Sequence, residues 1–166
     1  MEKGVKRKLA EDVFQMINKK WALVAAGTLE AYGCMTVAWG GFGALWVKPV
    51  ITVYIKPSRN THDYLMNNEY FSVSFFAEAY RDDLITMGTL SGRNCNKVSM
   101  TSLTPIAAGN SVAFSQASTV YLCKKIYWQR LDVKNVPEEI RRKYYEGEEP
   151  HTMFIGEIVE TMQQNC

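Results

Sequence analysis

The stretch "VITVYIKPSRNTHDYL", residues 50–65, sets the fold class. Val50 to Ile55 alternates as a half-buried strand does, and Pro57 stops it. A hydroxyl (Ser58), a guanidinium (Arg59), an amide (Asn60) and a second hydroxyl (Thr61) follow, and residues 60–67 then read as a helix. The same short β-favouring pattern recurs on both sides. "WALVAAG" (21–27), "CMTVAW" (34–39) and "YFSVSFF" (70–76) are separated by Gly, Pro and polar turns. "SVAF" (111–114) and "STVYLCKKIYWQ" (118–129) suggest a hairpin or meander, and "MFIGEIVE" (153–160) closes the chain as a last strand. Leu9, Val13, Met16 and Ile17 fall at helical spacing, which predicts an opening helix over 9–17. Further helices are predicted near 79–87, 94–100 and 137–145, the last with Pro137 in its first turn. Many short strands with few helices predict a mainly β protein, a β-barrel with peripheral helices, and not a doubly wound sheet.

The bulk properties narrow the function. A chain of 166 residues predicts one domain able to bury a full core. With 47% apolar and 22% charged residues the composition is that of an ordinary globular protein. A net charge of +2 argues against an extended nucleic-acid footprint, and the basic start "KGVKRK" reads as a solvated tail. No run of about 18 apolar residues spans a bilayer, and the N-terminus has no apolar leader core. The expected compartment is therefore the cytoplasm, with no membrane partner. Cys34, Cys95, Cys123 and Cys166 lack paired metal-ligand spacing, so free thiols are expected and no metal site. His62 and His151 read as structural or solvated.

Two familiar nucleotide patterns fail. "GGFGAL" (40–45) lacks the third glycine of a dinucleotide loop and runs into a strand instead of a helix. Its glycines read as a tight connection with a bend or positive φ. There is no Walker pattern.

The junction at 57–61 has two readings. Ser58 is placed to cap the helix that begins near Asn60. Alternatively, the first-turn amides, the Arg59 fork and the Thr61 hydroxyl together suit a phosphate. A second junction, "GTLSGRNCNKV" (88–98), repeats the chemistry with Ser91, Gly92, Arg93 and Lys97 around another helix start. Gly92 would admit close backbone approach, whereas Arg93 reads as a surface cation. Two such loops in one small barrel suggest a phosphate site made from both.

"MTVAWGGFG", "KPSRNTHDYL", "YFSVSFF", "GTLSGRNCNK" and "HTMFIGEIVE", in this order and spacing, resemble the flavin reductase-like FMN-binding family, which includes flavoredoxin-like proteins. The resemblance runs from about Trp21 to Val159. It implies a split β-barrel, a homodimer, and FMN held non-covalently near the dimer interface. It implies that Met35, Thr36, Val37, Ala38 and Trp39 line the isoalloxazine ring. Ser58, Arg59, Thr61, Ser91, Gly92 and Lys97 would then serve the phosphate and ribityl chain. It further implies NADH or NADPH as electron donor to an NAD(P)H-dependent flavin or small-molecule reductase. A flavoredoxin-like electron carrier reduced by a partner protein is the alternative, and a flavin storage protein is a third. An oxidase resembling the pyridoxamine-phosphate enzymes fits the motif set less well.

"CMTVAW" supports the ring position on its own chemistry. An extended edge strand offers backbone donors and acceptors to a heterocycle's polar edge, with Met35, Val37 and Trp39 as apolar cover. Reduction by a nicotinamide at flavin N5 needs no general base, so no catalytic side chain is expected. Family members often carry Asn before the "MT" pair, where this chain has Gly33 and Cys34. Cys34 reads as a packing residue. Tyr127 and Trp128 in "KKIYWQ" read as part of a dimer flank or pocket rim, or else as core.

Overall fold

The computed structural model describes residues 13–163. α1 (Val13–Gln15) runs into a π-helical turn, Met16–Lys20, ahead of the nine strands found among the described residues. Strands β1 (Ala22–Thr28), β2 (Ala31–Val37), β3 (Gly40–Leu45) and β4 (Lys48–Ile55) come first, followed by α2 (Asn60–Asn67) and β5 (Tyr70–Phe75). α3 (Arg81–Thr89), the hairpin β6 (Pro105–Ala108) and β7 (Ser111–Phe114), β8 (Thr119–Arg130), α4 (Glu138–Tyr145) and β9 (Thr152–Gln163) complete the order. The nine strands form an antiparallel seven-stranded sheet, β2-β1-β5-β8-β9-β4-β3, and the separate pair β6-β7.

β1 organises the interior. Its run "ALVAAG" is buried throughout, and alternate residues face opposite sides of the sheet. Ala22, Val24 and Ala26 enter one core with Ile51, Phe71 and Phe154, which also takes Leu65 of α2. Leu23 and Ala25 enter a second with Leu84 and Met87 of α3 and Val112 and Phe114 of β7. The small alanines let both layers approach one strand closely. Two hydroxyls tie the β6-β7 hairpin to the sheet. Ser72 Oγ donates to the Val112 carbonyl (2.5 Å) and Ser111 Oγ to that of Ala25 (3.3 Å).

Several local expectations change. Residues 40–45 form strand β3, paired with β4 in register Gly41↔Thr52 and Phe42↔Ile51. The positive φ values fall on the turn that follows, at Trp46 (51°) and Val47 (61°). An edge strand tolerates glycine because one side of it carries no neighbour. β7 pairs with β6, while β8 pairs with β5 and β9, so 111–129 is not one hairpin. Helix 79–87 is a 3₁₀ turn, Glu78–Tyr80, followed by α3, and of 94–100 only the 3₁₀ turn Lys97–Met100 is helical. Pro137 is the residue before α4, with ψ 142°, outside the first turn. Of the opening helix, residues 9–12 lie outside the described residues, and the helical turns reach Lys20. Tyr127 and Trp128 are 38% and 48% exposed, which excludes core packing for them.

Gly156, central in β9, tests the barrel's packing. A Cβ there would lie 2.5 Å from Phe71 Cζ and 2.6 Å from Cys123 Cβ, whereas one at Gly41 meets nothing within 4 Å. Overpacking of this kind costs roughly 1–3 kcal/mol. Gly156→Ala should therefore lower the melting temperature by roughly 2–12 °C, at about 2–4 °C per kcal/mol for this size. Gly41→Ala should leave it nearly unchanged. Equal shifts in circular-dichroism melts would contradict the register.

Candidate functional site

Among the described residues β2 is a free edge of the sheet, so half of its backbone N–H and C=O groups have no strand partner there. α2 and α3 pack against it instead. α2 crosses at Gly33, where a Cβ would stand 2.6 Å from Tyr64 Cδ2 and 2.9 Å from Thr61 Cα. That contact demands glycine at 33. α3 crosses one step along: Thr36 Oγ1 donates to the Leu84 carbonyl (2.6 Å), and a Cβ on Gly88 would be 3.3 Å from Thr36 Cβ. Cys34, between them, is buried in the second core, and burial pushes its thiol up to about 11. It is a packing residue, and it offers no thiolate near neutral pH.

The two polar junctions meet at the C-terminus of α3. Arg59 Nη2 donates to the carbonyls of Gly88 (2.7 Å) and Leu90 (2.9 Å). Lys97 Nζ donates to those of Met87 (2.7 Å) and Leu90 (3.3 Å). A helix end leaves such carbonyls unpaired and carries partial negative charge, so both cations are well placed there. Arg93, across the same gap, donates through Nε to the Ser58 carbonyl (3.2 Å) and through Nη2 to Asp63 (2.7 Å). It is the surface cation expected of it. Gly92 lies against Asn60, whose Nδ2 would be 3.2 Å from a Cβ at that position.

Ser58 does not cap α2. Arg59 occupies the N-cap position, and no side chain there bonds the first turn. The chain turns one residue later than Ser58 would need, with Arg59 N donating to the Lys56 carbonyl. Thr61 is buried, and Ser91 Oγ accepts from the Arg93 amide (3.3 Å). Lys97 is only 4% exposed, and its ammonium is lowered to about 8. Burial is the main cause, with a further push from Arg59's charge.

Three cavities follow β2. One of about 300 Å³ is lined by Tyr32, Gly33, Asn60, Gly92, Asn96 and Lys97, with Cys34 at its wall. One of about 140 Å³ is lined by residues 35–39 together with Tyr54 and His151. A third, about 260 Å³, lies between Trp21, Thr36, Ala38, Ile85 and Gly88. Met35 to Trp39 are thus gathered at one end of the edge, and Gly92 and Lys97 at the other. Ser58, Arg59, Thr61 and Ser91 line none of the three. The sequence reading quoted stretches that contain Tyr54, Asn96 and His151 but did not single these residues out as site residues, because only the fold places their side chains along the cavities. Among the described residues, no group of three or more His, Cys, Asp and Glu could hold a metal.

A family model described as "Flavin reductase like domain" matches residues 16–166. The chain belongs to the flavin reductase-like family. Solved structures of similar shape include the flavoredoxin of Desulfovibrio vulgaris (Miyazaki F), at 21% identity and TM-score 0.69, covering 99% of this chain and 78% of that one. An FMN-binding protein from Thermus thermophilus is similar at 20% identity and TM-score 0.68, covering 86% and 69%. A split barrel domain from Shewanella frigidimarina follows at 13% identity and TM-score 0.70, covering 92% and 73%. No curated protein sequence matches. The fold of this flavin reductase-like chain is accordingly a split β-barrel, mainly antiparallel sheet with few helices.

Lys97 gives the site a pH signature. Its folded value, about 8, lies below the ordinary 10.5, so between these values the unfolded chain holds more protons and stability rises with pH. Wild type should gain stability relative to Lys97→Met from pH 8 to 10 in urea denaturation. A constant difference over that range would show that the ammonium is not buried as described.

Proposed function

We propose that this protein binds FMN non-covalently along β2 and acts as an NAD(P)H-dependent reductase of flavins or small molecules. The observation that carries the reading is the free β2 edge, with cationic donors at one end and residues 35–39 at the other. A flavin mononucleotide has that polarity: a dianionic phosphate, a polyol linker and a flat ring with one polar edge.

The residues present fit the group. Arg59 spends one nitrogen on two carbonyls, which leaves Nε and Nη1 without a partner among the described residues. Lys97 has one N–H beyond its two bonds. The first-turn amides of α2 add partial positive charge beside them. Ser58, Thr61, Ser91 and Gly92 belong to the same two loops and would complete the phosphate and ribityl contacts. At the other end, Met35, Thr36, Val37, Ala38 and Trp39 would hold the ring, with the edge groups of β2 on its polar side. Trp39 is 40% exposed and offers an aromatic face.

FMN, when bound, supplies the two-electron redox chemistry. The chain's part is to fix the ring against β2, shield one side of it with Trp39 and leave the other side open for a nicotinamide. No side chain has to move a proton in that step, which suits a site without an acid–base pair. We further propose a homodimer in the cytoplasm. Trp46, Val47, Tyr127 and Trp128 are exposed apolar residues that a second copy would cover, and Cys34, Cys95 and Cys123 are free thiols. Among the described residues no helix is long and apolar enough to cross a membrane.

Anaerobic mixing of FMN-loaded protein with NADH, then NADPH, should bleach the flavin absorbance with at least one of them. Added riboflavin should then be reduced over many turnovers. Failure to bleach with either nucleotide, with prompt reduction by dithionite, would replace the reductase by an electron carrier.

A further inference from the structure

α4 reaches the ring end of β2 without belonging to the core. It buries none of its residues, yet Tyr144 meets Trp39 edge-on at 5.2 Å and Tyr145 meets His151 at 5.8 Å. Arg141 stands three residues before Tyr144 and four before Tyr145, so it shares the helix face that carries both tyrosines. Lys143 Nζ rests over the Tyr144 ring, 5.1 Å from its centroid. Two exposed cations thus flank the tyrosine that touches Trp39.

The charges around α4 are unevenly paired. Arg142 is taken by Glu138, Arg130 by Glu149 and Lys56 by Glu148. Arg141 and Lys143 have no carboxylate partner among the described residues. Glu139 stands four residues before Lys143, the spacing of a helical ion pair, but the ammonium lies against the Tyr144 ring instead. Glu146, at the C-cap, pairs with neither cation.

A phosphate monoester suits such a pair. It carries about −1.5 to −2 charge near pH 7, and an Arg fork with a Lys point charge answers it. Placement decides which phosphate. Trp39 and then Tyr144 lead outward from the cavity of residues 35–39 to the cations. A dinucleotide whose nicotinamide lies at the ring extends away from it, so side chains this far out meet its adenosine end. There NADPH differs from NADH by one group, the 2′-phosphate.

We propose that Arg141 and Lys143 of α4 bind the 2′-phosphate of the electron donor and make this chain prefer NADPH over NADH. The inference rests on the reductase reading and names its donor. Because α4 buries no residue, both cations can be replaced without opening a core.

The test titrates the FMN-loaded protein, or the chain as purified if it takes up no FMN, with adenosine 2′,5′-diphosphate and with adenosine 5′-monophosphate. Wild type should bind the diphosphate at least about tenfold more tightly, and the double variant Arg141→Ala/Lys143→Ala should lose about tenfold to a hundredfold of that affinity. Binding of the monophosphate should stay as it was. Added salt should shrink the wild-type difference, since both cations are exposed. In anaerobic mixing, the NADPH concentration that half-saturates flavin bleaching should rise by the same factor in the double variant, with the NADH value little changed. Equal wild-type affinity for the two adenosine phosphates, or equal losses for NADPH and NADH in the variant, would overturn the assignment. Bleaching by neither nucleotide would remove the reductase reading, and the preference for NADPH with it. Loss of diphosphate binding in the variant would in that case still keep the phosphate site on α4.

Discussion

The carbonyls of Met87, Gly88 and Leu90, where α3 ends, are held by two cations that come from different loops. Everything proposed for the site depends on this. Without Arg59 and Lys97 the end of α3 would leave partly buried acceptors unpaired, each costing about 1–3 kcal/mol. With them, α3 is clamped from the α2 side and from the 3₁₀ turn at Lys97–Met100. Because both cations share Leu90 O, the two loops are also fixed relative to each other. The junctions that read as two phosphate-like motifs in the sequence therefore become one structural unit.

That unit sets the geometry of β2. α3 presses Gly88 against Thr36, and α2 presses Thr61 and Tyr64 against Gly33, so the edge strand is pinned on its faces and left free along its rim. β1 supplies the other constraint. Its two buried faces belong to two different cores, which fixes β2 beside it in register Leu23↔Thr36 and Val24↔Met35. A register slip of one residue would send Thr36 away from Leu84 and Cys34 out of its core. Rigid placement of a free edge is what a planar ring with a polar rim requires.

Much of this was legible in the sequence. The alternation in "VITVYI" and the continuous apolar run in "ALVAAG" name their strands, and "NTHDYL" names α2. The edge position of "CMTVAW" and the convergence of "PSRNT" with "SGRNCNK" also follow from reading them as one site. Other features were not legible, because they are decided by partners distant in sequence. Nothing local says that Lys97 is buried and bonded to carbonyls while Arg93, four residues earlier, pairs with Asp63 at the surface. Nothing in "GGFGAL" distinguishes an edge strand from a turn, since glycine is permitted in both. "PIAA" at 105–108 is too short and too plain to announce itself as the partner of β7. His151 has no neighbouring chemistry in the sequence, and only the fold brings Trp39 and Tyr145 to it.

The account stands most directly on whether the cations at the end of α3 also meet a phosphate. Titration of the protein with FMN and with riboflavin, for wild type and Arg59→Ala, measures this with riboflavin as the control for any loss of packing. Wild type should bind FMN at least tenfold more tightly than riboflavin. Arg59→Ala should lose about tenfold to a hundredfold of FMN affinity, the equivalent of a charge-assisted contact of roughly 1.5–3 kcal/mol, with riboflavin affinity unchanged. Equal wild-type affinity for the two ligands would reduce Arg59 and Lys97 to a clamp on α3 and remove the phosphate from the site.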